Sequence, residues 1–256
     1  MSVRPKKRLG QHFLTDAETV RRIVDAVEAP PGGRVVEIGP GEGALTGTLL
    51  NRFPDLVALE VDPEAVAHLR ARYPRLDVRE GDVLDVDWKR VGEGRRLAVV
   101  GNLPYYITSP ILFALLAARA EVGQAVVMVQ KEVADRIVAP PGSKTYGTLS
   151  VYFALYARAS LLCDVSRHAF RPKPAVESAV VVLDFARADP PGVPFDALQR
   201  TVRAAFGQRR KMLRNSLGAL ANEASVDLPN WAATLRPEAV SPEDFVRLAL
   251  HLHPSA

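Results

Sequence analysis

The 256-residue chain is 48% hydrophobic and 24% charged, a composition that excludes a disordered or collagen-like protein. Its 33 Lys and Arg against 29 Asp and Glu leave a net charge of only +4, so where the bases sit says more than their sum. No stretch approaches the roughly 18 apolar residues needed to span a bilayer, and the basic start over 1–8 leads into no apolar signal core, so a cytoplasmic protein is expected. A single cysteine, Cys163, rules out an intramolecular disulfide and a multi-cysteine zinc site. Beside Leu161 and Leu162 it reads as a small buried hydrophobe, and no metal site is expected.

Taken in order, residues 1–14 are basic and aromatic, with Arg4, Lys6, Lys7 and Arg8 clustered. Thr15 reads as a helix N-cap, with Glu18 completing a capping box. Val20, Ile23, Val24 and Val27 recur at helical spacing until Pro30-Pro31-Gly32-Gly33. Residues 34–38 form a strand that runs into Gly39-Pro40-Gly41-Glu42-Gly43, with a helix over 44–52. A second strand over 56–61 is followed by a helix over 63–72, and a third over 76–80 leads to Gly81-Asp82. The apolar run 97–100 is a fourth strand that stops at Gly101, with a helix over 110–118. A fifth strand spans 125–129, and a helix 131–139. Strands alternating with helices at this spacing predict a mainly parallel α/β sheet.

After Pro140-Pro141-Gly142 the pattern loosens into a helix over 149–156 and strands near 159–165 and 179–185. Phe170-Arg171-Pro172-Lys173-Pro174 between them is too proline-rich for regular structure. Asp189-Pro190-Pro191-Gly192 reads as a linker, dividing the chain into domains 1–187 and 188–256. The second is helical throughout: Phe195, Leu198, Val202 and Ala205 line one face, and Ser241-Pro242-Glu243-Asp244 opens a last helix.

Chemistry gathers at the strand ends. Gly39, Gly41 and Gly43 between a strand and a helix place backbone N–H groups against a closely approaching ligand. Nicotinamide dehydrogenases prefer G-x-G-x-x-G; the G-x-G-x-G spacing here is the one seen in class I S-adenosylmethionine methyltransferases. Glu60 ends the next strand, where an acid accepts both ribose hydroxyls of a nucleoside, whichever cofactor carries it. Asp82 follows the third strand and can accept an adenine amino hydrogen. At the fourth strand end, Asn102-Leu103-Pro104-Tyr105 suits a planar ring with an exocyclic amino group. Asn102 and a nearby carbonyl accept its hydrogens while Tyr105 stacks on its face. These groups on successive βα turns share the carboxyl edge of one sheet, where open α/β sheets bind ligands.

The Asn102-x-Pro104-Tyr105 motif resembles that of N6-adenine methyltransferases. Residues 8–14, Glu37-Ile38-Gly39-Pro40-Gly41, Gln130-Lys131-Glu132-Val133, Phe170-x-Pro172-x-Pro174-x-Val176-x-Ser178 and Ala205-Phe206-x-Gln208-Arg209-Arg210-Lys211 are similar to the KsgA (RsmA) ribosomal RNA adenine dimethyltransferases. The match runs from about residue 6 to 250. The resemblance implies a Rossmann-like catalytic domain with a small all-helical C-terminal domain, acting as a monomer. It implies transfer of two methyl groups from S-adenosylmethionine to N6 of each of two adjacent adenosines, in a hairpin loop near the 3′ end of 16S rRNA during small-subunit maturation. His12, Leu14, Gly39, Glu60, Asp82 and Asn102 fall where the family contacts the cofactor, and Gly41 belongs to the same loop. Asn102, Leu103, Pro104 and Tyr105 would hold the target base, with Phe170 a candidate for its other face or else a core aromatic. Arg209, Arg210 and Lys211, on a helix over 208–217, are candidates for RNA phosphates or a solvated face. Two positions depart from the family: His12 and Tyr106 each stand where it usually has Asn. An Erm-type 23S rRNA methylase, a non-catalytic ribosome-assembly factor and, more distantly, an NAD oxidoreductase are the alternative readings.

Overall fold

The computed structural model describes residues 5–6, 10–186 and 191–254. Arg4, Lys7, Arg8 and part of the expected 189–192 linker lie outside them. The elements in the first part of the chain are β1 (Phe13–Leu14), α1 (Ala17–Asp25), β2 (Arg34–Ile38), α2 (Thr46–Arg52), β3 (Val57–Glu60), α3 (Pro63–Arg72), β4 (Asp77–Glu80), α4 (Trp88–Gly92), β5 (Leu97–Asn102), α5 (Thr108–Ala117), β6 (Val122–Gln130) and α6 (Lys131–Ile137). There follow α7 (Thr148–Tyr156), β7 (Arg158–Val165), β8 (Phe170–Arg171), β9 (Ser178–Asp184), α8 (Phe195–Gly207), α9 (Leu213–Ser216), α10 (Gly218–Ala224), α11 (Asn230–Ala233) and α12 (Pro242–Leu252). Among the described residues no helix is long and apolar enough to cross a membrane.

Seven strands form one sheet in the order β4-β3-β2-β5-β6-β9-β7. The pairings from β4 to β6 are parallel, and β9 runs antiparallel to β6. Residues 97–100 and 125–129 are fully buried, as befits central strands covered by helices on both faces. The strand order reverses between β2 and β5, and such a switch point opens a crevice at the carboxyl edge.

Local chemistry moved several boundaries. The fourth strand does not stop at Gly101: it continues through Asn102, with Gly101 opposite Ile38 and Val127. A Cβ there would lie 2.6 Å from the Ile38 carbonyl oxygen, so glycine permits the close pairing that carries the strand one residue further. Asp16, not Thr15, caps α1, because its carboxylate reaches both the backbone N–H (2.8 Å) and the hydroxyl (2.6 Å) of Thr19. Phe170 and Arg171 do form regular structure, pairing with Leu14 and Phe13 across an antiparallel ladder. Both precede the first proline, and the residue before a proline is itself biased toward extended backbone. At the other end, Gln208 to Lys211 is a turn between α8 and α9, so the helix expected over 208–217 is interrupted there.

The contacts divide the chain into two units, residues 1–134 with 160–186 and residues 135–159 with 187–256. The expected first domain, 1–187, therefore differs in one respect: 135–159 pack with the C-terminal helices. The reason is aromatic. Tyr146 donates its hydroxyl to the Val240 carbonyl (2.9 Å) and its ring lies 6.0 Å from that of Phe206. Phe206 in turn lies 5.7 Å from Phe245, and Tyr156 meets Phe195 edge-on at 5.5 Å. Tyr146, Tyr152, Phe153 and Phe245 are fully buried in this second, mainly helical unit.

In the first unit Glu37 is an acid in the middle of an apolar strand, 1% exposed, accepting a hydrogen bond from the Thr46 hydroxyl at 2.7 Å. Burial pushes its carboxyl up to about 8 from the ordinary 4.5, the Thr46 bond opposes this, and the nearby Glu60 charge adds to it. The folded protein thus holds Glu37 neutral while the unfolded chain ionises it near 4.5. The stability it contributes is complete below that value and is lost as pH rises toward 8. Glu37→Gln should therefore match the parent in thermal midpoint near pH 5 and exceed it increasingly toward pH 8. Parallel midpoint profiles across that range would contradict this account.

Candidate active site

The parallel register sets Ile38 of β2 opposite Leu59 of β3 and Gly101 of β5, and Glu60 opposite Glu80 of β4, so the four strands end within one residue of each other and their following turns share one edge. They open a cavity of about 290 Å³. Of the residues singled out from the sequence, His12, Gly39, Gly41, Glu60, Asp82, Asn102, Leu103, Pro104 and Tyr105 all line it. Its apolar walls include Phe13, Val61, Val83 and Ile107.

The glycine loop works differently from the expectation. Its three N–H groups are consumed inside the protein: Gly39 donates to the Leu59 carbonyl (2.9 Å), Gly41 to the Glu60 carboxylate (3.0 Å) and Gly43 to the Pro40 carbonyl (2.8 Å). The glycines serve instead through shape. Gly41 has φ +57°, and a Cβ there would sit 2.7 Å from the Phe13 ring, so only glycine lets that ring close over the loop. At Gly39 a Cβ would meet no atom within 4 Å, which leaves bare backbone facing the cavity.

Glu60 is 4% exposed and accepts three backbone hydrogen bonds, from Gly41 on one oxygen and from Val61 and Asp62 (2.9 Å each) on the other. Burial nevertheless holds its carboxyl above the ordinary range, with Asp62 adding repulsion. Each carboxylate oxygen has more than one acceptor direction, so the group can bond hydroxyls while keeping these contacts. Asp82 uses one oxygen on the Leu84 N–H (2.9 Å), which starts a short 3₁₀ turn over Val83–Asp85. Its other oxygen has no partner among the described residues.

Sequence reading missed Asp62, which is 1% exposed and bonds Lys6 Nζ (2.6 Å), Gln11 Nε2 (3.3 Å) and the Glu64 N–H (3.1 Å). Burial opposes its charge, but Lys6 and the Glu64 N–H outweigh it and hold the carboxyl below the ordinary range. The Asp62-Pro63 pair before α3 is a recognisable helix start, and that signal could have found it. Lys6 and Gln11 thereby tie the N-terminal segment to the same turn that carries Glu60.

Asn102 donates its side-chain N–H to the His12 carbonyl at 2.9 Å. That bond fixes the amide's rotation and leaves Oδ1 without a partner among the described residues. The Leu103 N–H is held by the Met128 carbonyl (3.0 Å), whereas no donor among the described residues reaches the Leu103 carbonyl. The Pro104 carbonyl, the alternative acceptor in the sequence reading, already takes the Thr108 hydroxyl (3.0 Å) and the Ile107 N–H (3.2 Å). Tyr105 is fixed by its hydroxyl on Ser178 Oγ (2.6 Å) and by the stacked His12 ring, 5.7 Å away at 27°. Burial raises the Tyr105 phenol above its ordinary value, the Ser178 bond opposing, so it stays neutral at physiological pH. The His12 ring itself hydrogen-bonds the Pro172 carbonyl through Nδ1 (2.7 Å).

Five candidates lie elsewhere. Phe170 is 5% exposed within the apolar cluster that holds Cys163 and Val165, so it is a core aromatic and does not line the cavity. Leu14, its strand partner, is in the same cluster. Strand alternation sends Phe13 to the cavity and Leu14 to the core. In the second unit Arg209, Arg210 and Lys211 are exposed. Arg209 is fastened to the Lys144 carbonyl (2.6 Å), while the side chains of Arg210 and Lys211 carry no partner among the described residues.

The family model for Ribosomal RNA adenine dimethylase matches residues 3–252. A Ribosomal RNA small subunit methyltransferase A from Salinibacter ruber is 49% identical over 97% of this chain and 85% of its own. A protein of the same name from Bordetella petrii is 49% identical over 95% and 93% of the two chains. Among solved structures, a dimethyladenosine transferase from Plasmodium falciparum superposes with TM-score 0.77 at 25% identity, over 95% of this chain and 98% of that one. The 23S rRNA methyltransferase ErmE gives TM-score 0.69 at 29% identity, over 94% and 99%. With a mostly parallel Rossmann-like sheet and this similarity over nearly its whole length, the chain belongs to the ribosomal RNA adenine dimethylase family.

Proposed function

We propose that the protein methylates N6 of two adjacent adenosines in a hairpin loop near the 3′ end of 16S rRNA, twice each, with S-adenosylmethionine as donor. The observation that carries the reading is the Asn102 amide, held by His12 so that its oxygen and the Leu103 carbonyl are both free acceptors beside one cavity.

The residues present fit an S-adenosylmethionine donor. A buried carboxylate at Glu60 suits a ribose, the free Asp82 oxygen suits an adenine amino group, and Val61 and Val83 offer apolar walls for a flat ring. The consumed glycine N–H groups argue against a dinucleotide, whose pyrophosphate would need them. When bound, the donor supplies an electrophilic methyl group.

The chain's residues prepare the acceptor. The N6 lone pair of adenine is delocalised into the ring and attacks poorly. Bonds from its two hydrogens to Asn102 Oδ1 and the Leu103 carbonyl favour a pyramidal nitrogen and aim the lone pair for in-line transfer. They also stabilise positive charge as it develops on nitrogen. The methylated nitrogen is cationic and strongly acidic, so it loses one proton to water; one N–H then remains, and one acceptor still holds the base for a second transfer. Since His12 covers one side of the Tyr105 ring, the target base takes the other. Such a stack is worth about 1–3 kcal/mol, comparable with the cost of extruding a loop base. Arg210 and Lys211, exposed and unpaired, suit backbone phosphates.

The small-subunit reading rests on the full-length 49% relatives, against 29% for ErmE. Incubation with labelled S-adenosylmethionine and unmethylated ribosomal subunits should place label in small-subunit RNA as N6,N6-dimethyladenosine. Label confined to large-subunit RNA would overturn the site assignment, and none in either would favour an assembly factor without catalysis. Asn102→Ala should lower turnover about 100-fold or more while the donor's Kd changes only a few-fold. Turnover within about threefold of the parent would contradict the role given to that amide.

A further inference from the structure

Tyr106 is the exposed aromatic at this site. It is 56% exposed, yet it lines the same cavity as Asn102 and Tyr105. Its ring lies against Gly10, where a Cβ would come within 3.3 Å of it and where the backbone φ is +56°. The neighbouring Tyr105 is held by Ser178 and by the His12 ring, whereas no hydrogen bond among the described residues holds the Tyr106 hydroxyl. A large apolar ring left this exposed at the mouth of a cavity contributes little to folding.

We propose that Tyr106 is a specificity residue that stacks the base of the nucleotide adjoining the target adenosine; this rests on the RNA-methylation reading above. The two tyrosines lie in one 3₁₀ turn, Tyr105–Ile107. Successive side chains there diverge by about 120°, because such a turn has three residues per revolution. One base cannot lie flat on both rings. A target base on Tyr105, with N6 at Asn102, leaves Tyr106 facing outward where the strand leaves the cavity, and an unpaired neighbouring base has its π-face available there. Such a platform would hold the loop while the enzyme addresses adenosines that stand side by side.

The test uses the full-length protein with unmethylated small subunits, and with the isolated hairpin RNA carrying 2-aminopurine beside the target. Tyr106→Ala should raise the KM for RNA about 5-fold to 100-fold, the range expected for one lost base stack, with the donor Kd within about twofold. It should also relieve the quenching of the flanking 2-aminopurine in the complex. Tyr106→Phe should restore both readouts. An unchanged KM, a Phe variant as impaired as Ala, or a loss confined to donor affinity would each overturn the proposal, the last making Tyr106 a cover for the donor. A parent enzyme that methylates neither subunit would instead bring down the functional reading itself.

Discussion

One hydrogen bond organises the site: the Asn102 side-chain N–H donated to the His12 carbonyl. A free amide at a strand end could present either its donors or its acceptor to a ligand, and only one orientation suits an amino group. The His12 carbonyl removes the choice. It can do so because the N-terminal segment is held twice over, by β1 pairing with β8 and by Lys6 and Gln11 on Asp62. The His12 ring then braces Tyr105 and bonds Pro172, so one residue ties three parts of the chain to one edge of the cavity.

The proposed donor side follows the same logic of groups fixed within the fold. Glu60 is buried against its own electrostatic preference and is held in place by three backbone donors. One of these is the glycine loop's Gly41, so the loop and the acid form a single unit. Closure of Phe13 over Gly41 completes that unit and links it to the segment that holds Asn102. Fixed dipoles and acceptors of this kind cost little reorganisation during reaction, the main source of catalytic advantage where no strong base is used.

Much of this was legible from the sequence because the strands announce themselves. Strand-like runs leading to Gly39, Glu60, Gly81 and Asn102 put four polar or glycine residues on one edge, and parallel pairing kept them there. What could not be read were the bonds between distant residues. The glycine loop looks like an anion cradle until Glu60, 19 positions away from Gly41, is seen to take its N–H. Phe170 was ambiguous as a base-stacking ring because its partner Leu14 is remote in the chain, and pairing with it turns Phe170 into the core. Residues 135–159 have an apolar helix that fits either domain by periodicity. The aromatic contacts of Tyr146 and Tyr156 decide for the helical one.

The most direct measurement of the central claim is a crystal structure of the protein with a donor analogue and a hairpin bearing the target adenosine. The account predicts N6 within about 2.7–3.2 Å of both Asn102 Oδ1 and the Leu103 carbonyl, with the Asn102 N–H still on His12. An amide rotated off the His12 carbonyl, or N6 seated beyond reach of both acceptors, would contradict it.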